Sequence, residues 1–148
     1  MYNYAGEPWK TQMRIRQVLS TLYNNSVEGL SGDDDTGQMS AWYVMSSVGI
    51  YPVSPADGVF VIGAPQFEKA VIKLGSGKQF TILAKNISKK NMYIQFAKLN
   101  GAAYSKTWIS YQDIAKGSTL EFEMGPNPSK WGANAEDSPP SMSVIRGE

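Results

Sequence analysis

Three consecutive aspartates, Asp33, Asp34 and Asp35, stand in the segment GLSGDDDTGQMSAW, just before an apolar run. Their charges repel one another, and a helix N-terminus explains only one of them, as a cap worth about 0.3–1 kcal/mol. If the segment is extended, Asp33 and Asp35 project to the same side with Cα atoms about 6–7 Å apart, while Asp34 points away. Such a pair could hold one water molecule or polar ligand, and an ionised member could act as a general base. On these residues alone, helix capping and catalysis remain equally open.

Composition and spacing exclude several other kinds of reactive site. The chain contains no cysteine and no histidine, which excludes disulfides, thiolate metal sites and Ser-His or Cys-His catalytic pairs. An EF-hand calcium loop that began at Asp33 would need a carboxylate at its twelfth position, which is Val44. Fourteen basic and thirteen acidic residues give a net charge of +1 without a dense basic cluster, so we expect no nucleic-acid partner.

Length and hydropathy set the scale of the fold. With 148 residues, of which 42% are hydrophobic, the chain can form one domain, or one domain and a piece of another. Its start, MYNYAGEPWK, has neither the basic stretch nor the apolar core of a signal peptide. Because no run approaches the roughly 20 apolar residues that span a bilayer, we expect no membrane partner.

Two helices are predicted in the first third of the chain, and the aspartates precede the second. Pro8 suits a first helical turn, and apolar residues recur at helical spacing over residues 8–23. The second helix is predicted over residues 36–48, where Asp35 and Gln38 have the spacing of a capping box. The acidic loop should therefore lead directly into a helix N-terminus.

Beyond the prolines at positions 52 and 55, apolar and polar residues alternate with period two, which predicts strands. The predicted strands cover residues 59–63, 70–74, 79–84, 91–99, 107–110 and 119–124. Asn100-Gly101 is typical of a type I′ hairpin turn, and Gly75-Ser76-Gly77 indicates another turn. The pattern predicts an α+β fold in which helices are followed by an antiparallel, sandwich-like sheet.

The chain divides into three parts on this pattern. Residues 1–54 carry the helices and the acidic loop, and residues 55–128 form the antiparallel β domain. Residues 129–148 are rich in Pro, Ser and Asn, which predicts a mostly disordered tail.

Five segments, taken in order, resemble one enzyme family. They are YNYAGEPWKTQ, GDDDTGQMSAWYVMSSVGIYPVSP, VFVIGAPQFEKAVI, YIQFAKLNG and MGPNPSKWG, within residues 2–132. In these motifs the chain resembles the C-terminal part of glycoside hydrolase family 92, the calcium-dependent, inverting, exo-acting alpha-mannosidases. The resemblance implies that residues 1–54 are the last helices of an (α/α)6 catalytic barrel and that the strands follow that barrel.

The resemblance also implies roles for individual residues. It places the general-base aspartates of the family at Asp33 and Asp35. The general acid of the family is a glutamate upstream of this chain, and Glu7 and Glu28 do not match its motif. The calcium ligands also precede Met1, so the resemblance implies a fragment that is inactive alone and holds no metal ligand of its own.

Candidate sugar contacts lie in the family-like segment PWKTQ. The resemblance suggests that Trp9 and Lys10, and with them Gln12, approach the substrate, although an amphipathic helix would show such residues anyway.

The implied partners are a mannose-containing glycan and the remainder of the parent enzyme. The parent is expected to be secreted, periplasmic or surface-attached. Helices cut from a barrel lose their neighbours, so stripes that include Trp9, Met13, Trp42 and Tyr43 should be partly exposed or covered by a second copy in a homodimer.

A different class of function also remains open. The chain could be a non-catalytic β-sandwich that binds a glycan or another partner, because Trp108 and Trp131 could form a platform on which sugars stack. Anchoring of a strand and of the tail explains the same two residues.

Overall fold

A computed structural model describes residues 1–141 of the chain, and the fold is α+β, as the sequence predicts. Helix α1 spans Pro8–Thr21 and α2 spans Gln38–Val48, close to the predicted bounds. A short helix, α3 (Tyr111–Ala115), lies between the last two strands. No helix within residues 1–141 has the length and hydropathy needed to cross a membrane.

Within residues 1–141, eight strands form two sheets. Their bounds are β1 Ile50–Tyr51, β2 Val59–Ile62, β3 Lys69–Lys73, β4 Gln79–Lys85, β5 Tyr93–Leu99, β6 Ala102–Ala103, β7 Trp108–Ser110 and β8 Thr119–Gly125. One sheet has the order β1-β2-β7, and the other has the order β3-β4-β8-β5-β6. The six predicted strands are all present, within two residues of their predicted ends.

The prediction of a purely antiparallel sheet is wrong at one pair of strands. β8 runs parallel to β4, with Thr81 opposite Thr119 and Lys85 opposite Glu123, and antiparallel to β5. β4 and β5 follow one another along the chain, and β8 lies between them in the sheet. Alternation along a strand sets which face is buried but not which strand lies beside it, so the sequence pattern could not show this insertion.

Both sheets contribute to one hydrophobic core. Ile50, Ile62 and Ile109 from the smaller sheet join the same buried cluster as Phe80 and Phe122 from the larger one. The predicted hairpin is present, with Leu99 opposite Ala102. Its two central residues, Asn100 and Gly101, have φ of 51° and 83°, as a type I′ turn requires.

Buried polar side chains connect the N-terminal segment to the strands. Asn3 donates from Nδ2 to the carbonyl oxygens of Ile62 and Thr107, and Gln12 Oε1 accepts from the N–H of Ile94 at 2.9 Å. Contacts therefore cross the predicted boundary between residues 54 and 55. The division into domains stays a prediction.

In residues 129–141, the part of the predicted tail that the structure describes, the prediction of disorder is wrong. Trp131 is 8% exposed, and its ring nitrogen donates to the carbonyl oxygen of Tyr104 at 2.9 Å. Asp137 is also buried, and its carbonyl oxygen accepts from the N–H and the hydroxyl of Thr107. These contacts fix a segment whose composition alone indicates a loop. Residues 142–148 of the predicted tail lie outside the described residues.

Candidate active site

The acidic loop reaches α2 through a short 3-10 turn, Asp35–Gly37. Thr36 and Gly37 both have left-handed backbone, with φ of 54° and 77°. Glycine tolerates this conformation, but a β-branched residue does so at a steric cost. The helix itself begins at Gln38, after a glycine that has no side chain with which to cap it.

Asp34 supplies the missing cap. Its Oδ1 accepts from the backbone N–H groups of Met39 at 2.8 Å and Ser40 at 3.1 Å, and its Oδ2 accepts from the Ser40 hydroxyl at 2.5 Å. These two N–H groups belong to the second and third residues of α2, where a capping side chain usually binds. The predicted capping box of Asp35 and Gln38 is therefore wrong, because the 3-10 turn places Asp34 over the helix end.

These hydrogen bonds also stabilise the charged form of Asp34. The bond from the Ser40 hydroxyl, followed by the backbone N–H groups, lowers the pKa of the Asp34 carboxyl below its usual value. Asp34 thus remains an anion that binds the helix end, and its carboxylate is occupied.

Asp33 and Asp35 are both exposed, and among the described residues their carboxylates accept no hydrogen bond. The extended segment assumed for them is wrong, since Asp34 has φ of −91° and ψ of 58° and Asp35 begins the 3-10 turn. Their assignment as general bases stays a prediction. Chemically, they are the two carboxylates of the loop that remain available to a water molecule or a sugar hydroxyl.

Aromatic side chains brace the helix turn that anchors the loop. Tyr23 stacks on Trp42 with ring centroids 5.7 Å apart and contacts Tyr43 at 4.9 Å. The Tyr23 hydroxyl donates to the carbonyl oxygen of Met39 at 3.3 Å. Burial and then the charge of Asp34 raise the pKa of Tyr23 above its usual value. The sequence pattern does not show Tyr23 as a neighbour of this site, because the contact joins two segments that are separate along the chain.

A cleft of about 480 Å³ adjoins this anchor. Tyr23, Leu30, Ser40, Tyr43 and Val44 are among the residues that line it. One wall is the segment between α1 and the aspartates, and the other is α2. Ser40, which binds Asp34, is one of the lining residues, so the acidic loop is attached to α2 beside a concave, partly apolar surface.

The structure gives Trp9 and Lys10 local partners. The Lys10 ammonium binds the Glu7 carboxylate at 2.6 Å and lies 5.3 Å from the centroid of the Trp9 ring. Both side chains are half-buried, and their role as sugar contacts stays a prediction. The expectation for Gln12 is wrong, because its side chain is 1% exposed and binds β5.

The two tryptophans of the predicted stacking platform do not form one exposed surface. Trp131 is buried against Phe122, with the rings edge to face at 6.3 Å. Trp108 is half-buried, and the ammonium of Lys106 lies 4.9 Å from its ring centroid. Both residues thus have packing roles.

The described residues do not fit a calcium ion. Within residues 1–141, no group of three or more Asp, Glu, His or Cys side chains comes together as a metal site. In the acidic loop itself, Asp34 turns to the helix, which leaves two free carboxylates, and among the described residues no third acidic side chain joins them.

Comparison with known proteins identifies the family. The model of the glycosyl hydrolase family 92 catalytic domain matches residues 1–126. An uncharacterized secreted glycosidase of Arthroderma benhamiae is 36% identical over 145 residues, which cover 96% of this chain and 19% of that protein.

Solved structures of the same family have the same fold over nearly the whole chain. A family GH92 alpha-mannosidase of Bacteroides thetaiotaomicron, in complex with mannoimidazole, superposes with a TM-score of 0.92 at 40% identity, covering 95% of this chain and 19% of that one. A family GH92 inverting mannosidase of the same organism gives 0.90 at 38%, covering 96% and 19%. The chain thus spans about a fifth of the length of these relatives, and by the extent of the family match it belongs to glycosyl hydrolase family 92.

Proposed function

We propose that this chain is the C-terminal part of a longer, inverting alpha-mannosidase that removes terminal alpha-linked mannose from glycans. The observation that carries the proposal is that the three aspartates in the acidic loop of this family 92 chain have different surroundings. Asp34 is bound to α2, whereas Asp33 and Asp35 are exposed and accept no hydrogen bond from the described residues. Two structural relatives are mannosidases by description, and one of them is called inverting.

The chain's own residues would carry out one half of the reaction. In an inverting glycosidase, one carboxylate activates a water on one face of the sugar while a second carboxyl group, about 6.5–9.5 Å away, protonates the leaving oxygen. Asp33 and Asp35 would bind and orient the water, and one of them would take its proton. The acid would come from the part of the longer protein that precedes this chain, together with any ligands for calcium.

The same proposal covers the partner and the location of the longer protein. Its substrate is a mannose-containing glycan, and the helices of this chain complete a barrel with helices from the preceding part of that protein. Secretion of the protein is supported by the relative described as a secreted glycosidase. A homodimer through the exposed helices stays a prediction.

The proposal is tested on the longer reading frame that contains these 148 residues. The longer protein should release mannose from an alpha-1,2-linked disaccharide, and Asp35→Asn should abolish turnover with little change in Tm. The isolated chain should show no activity, with or without calcium, because general-base catalysis alone supplies only about 10²–10⁴-fold. Robust turnover by the isolated chain, full activity of the Asp35→Asn enzyme, or a reading frame that encodes only this chain would contradict the proposal.

A further inference from the structure

Ser40 makes two hydrogen bonds to the same carboxylate. Its backbone N–H donates to Oδ1 of Asp34 at 3.1 Å, and its hydroxyl donates to Oδ2 at 2.5 Å. Because each carboxylate oxygen has its own donor, the Asp34 carboxylate is fixed in position and in rotation. The N–H of Met39 adds a third donor, at 2.8 Å from Oδ1.

The turn that holds Asp34 is itself fixed by side chains from two other segments. Tyr23 donates its hydroxyl to the carbonyl oxygen of Met39 at 3.3 Å. Gln38 donates from Nε2 to the hydroxyl of Tyr51 at 3.0 Å. These hydrogen bonds hold the first turn of α2 in place, and Asp34 connects the acidic loop to that turn.

Apart from two backbone hydrogen bonds of the 3-10 turn, from the N–H of Gly37 to the carbonyl oxygen of Asp34 and from the N–H of Gln38 to that of Asp35, the rest of the loop has little else to hold its shape. Gly32 and Gly37, at its two ends, both have left-handed φ, and no described residue beyond their chain neighbours has an atom within 4 Å of the place where either would carry a Cβ. Among the described residues, the carboxylate of Asp34 is the one side-chain group of residues 32–37 that forms a hydrogen bond to a residue outside this segment. The orientation of Asp33 and Asp35 therefore depends on the contact between Asp34 and Ser40.

We propose that Ser40 is a positioning residue of this site, which acts through Asp34 to hold Asp33 and Asp35 in their productive orientation. The inference rests on the function proposed above and adds to it the residue that orients the base. Without the hydroxyl, Oδ2 of Asp34 loses its donor and the carboxylate can rotate. The loop then shifts, and a displacement of about 1 Å at a reacting group can cost about 10²-fold in rate.

The test compares three serine variants of the longer protein by steady-state kinetics on an alpha-1,2-linked mannose disaccharide. Ser40→Ala should lower kcat by about 10- to 100-fold and change KM by less than about threefold, because the loss falls on the chemical step. Ser40→Thr keeps a hydroxyl and should retain most of kcat. Ser20→Ala, which removes an exposed hydroxyl bonded within α1, is the matched control and should leave kcat and KM unchanged.

The pH profile of kcat separates positioning from a general loss of stability. Removing the Ser40 hydroxyl removes the largest cause that lowers the pKa of Asp34, so the Asp34 carboxyl will protonate at a higher pH. The acidic limb of the profile should therefore move to higher pH in Ser40→Ala. Circular dichroism of each variant over the same pH range separates this shift from acid unfolding, because unfolding would lower the folded fraction together with kcat.

A second variant keeps the test decisive if Ser40→Ala does not fold. Asp34→Asn retains an oxygen for the two backbone N–H groups but loses the charge, and it should show a similar loss of kcat. Wild-type kcat in either folded variant, with Asp35→Asn inactive, overturns the positioning role and leaves the proposed function standing. Full activity of Asp35→Asn instead overturns the proposed function.

Discussion

Thr36 is the non-glycine residue of the acidic loop with left-handed backbone, at φ 54° and ψ 22°. For an L-residue this conformation costs about 1–2 kcal/mol, whereas asparagine tolerates it. We expect Thr36→Asn to raise the free energy of unfolding of the chain by about 0.5–1 kcal/mol in urea denaturation. Thr36→Val, which stays β-branched, is the control and should not stabilise. A destabilised Thr36→Asn chain would show that the hydroxyl bond to the carbonyl oxygen of Asp35 outweighs the strain.

The raised pKa of Tyr104 makes the free energy of unfolding depend on pH in the alkaline range. Burial, and then the charge of Asp113, raises the pKa of Tyr104 to about 12, and its hydroxyl donates to the carbonyl oxygen of Trp108 at 2.6 Å. An unfolded tyrosine ionises near pH 10, so the stabilisation is complete below about pH 10 and is lost as the pH rises toward about 12. The loss should be about 1–2 kcal/mol, after allowance for partial solvent screening. Urea denaturation of the wild type and of Tyr104→Phe from pH 8 to pH 12 measures it, and an equal pH dependence in both would contradict the prediction.

At the residue scale, the sequence identified the right loop but the wrong cap. Acidic residues before an apolar run indicate a helix N-terminus, and α2 does follow them. The choice of Asp34 over Asp35 depends on left-handed backbone at Thr36, and a threonine gives no signal for that conformation.

At the scale of elements, Gln12 links α1 to the larger sheet. Its Oε1 accepts from the N–H of Ile94, and both residues are buried. Gln12→Leu would leave that N–H without a partner in the core, so we expect a loss of about 1–3 kcal/mol in the free energy of unfolding. Gln17→Leu, on the exposed side of the same helix, should change it by less than about 0.5 kcal/mol. Equal effects in the two variants would show that the buried bond contributes nothing.

The strand pattern was predictable and the strand order was not. Alternation in β4 places Phe80, Ile82 and Ala84 in the core, as a period of two requires. The position of β8 between β4 and β5 is set by packing between distant segments. The burial of Gln12 could not be predicted either, because the hydrophobic pattern assigns polar residues to the surface.

At the scale of the whole molecule, the chain leaves three apolar side chains exposed near its candidate site. Val27, Leu30 and Val44, which are 102%, 36% and 57% exposed, belong to the loop and the helix that form the cleft. Exposed apolar patches of this kind mark surfaces that pack against something else. Relatives that share the fold are about five times as long as this chain, which covers 19% of them. We infer that the preceding part of the longer protein covers this surface.

If this surface is covered in the longer protein, one substitution should have little effect on the isolated chain and should destabilise the longer protein. In the isolated chain Val44 is mostly in water, so Val44→Lys should change the free energy of unfolding by less than about 0.5 kcal/mol. In the longer protein the same lysine would be buried without a partner, which should cost about 2 kcal/mol or more and lower Tm measured by calorimetry. Val71→Lys, at a 42% exposed position of β3 in the larger sheet, is the matched control and should have little effect in either setting. If Val44→Lys leaves Tm of the longer protein unchanged, this face of α2 stays in solvent there and the preceding part of the longer protein does not cover the acidic loop.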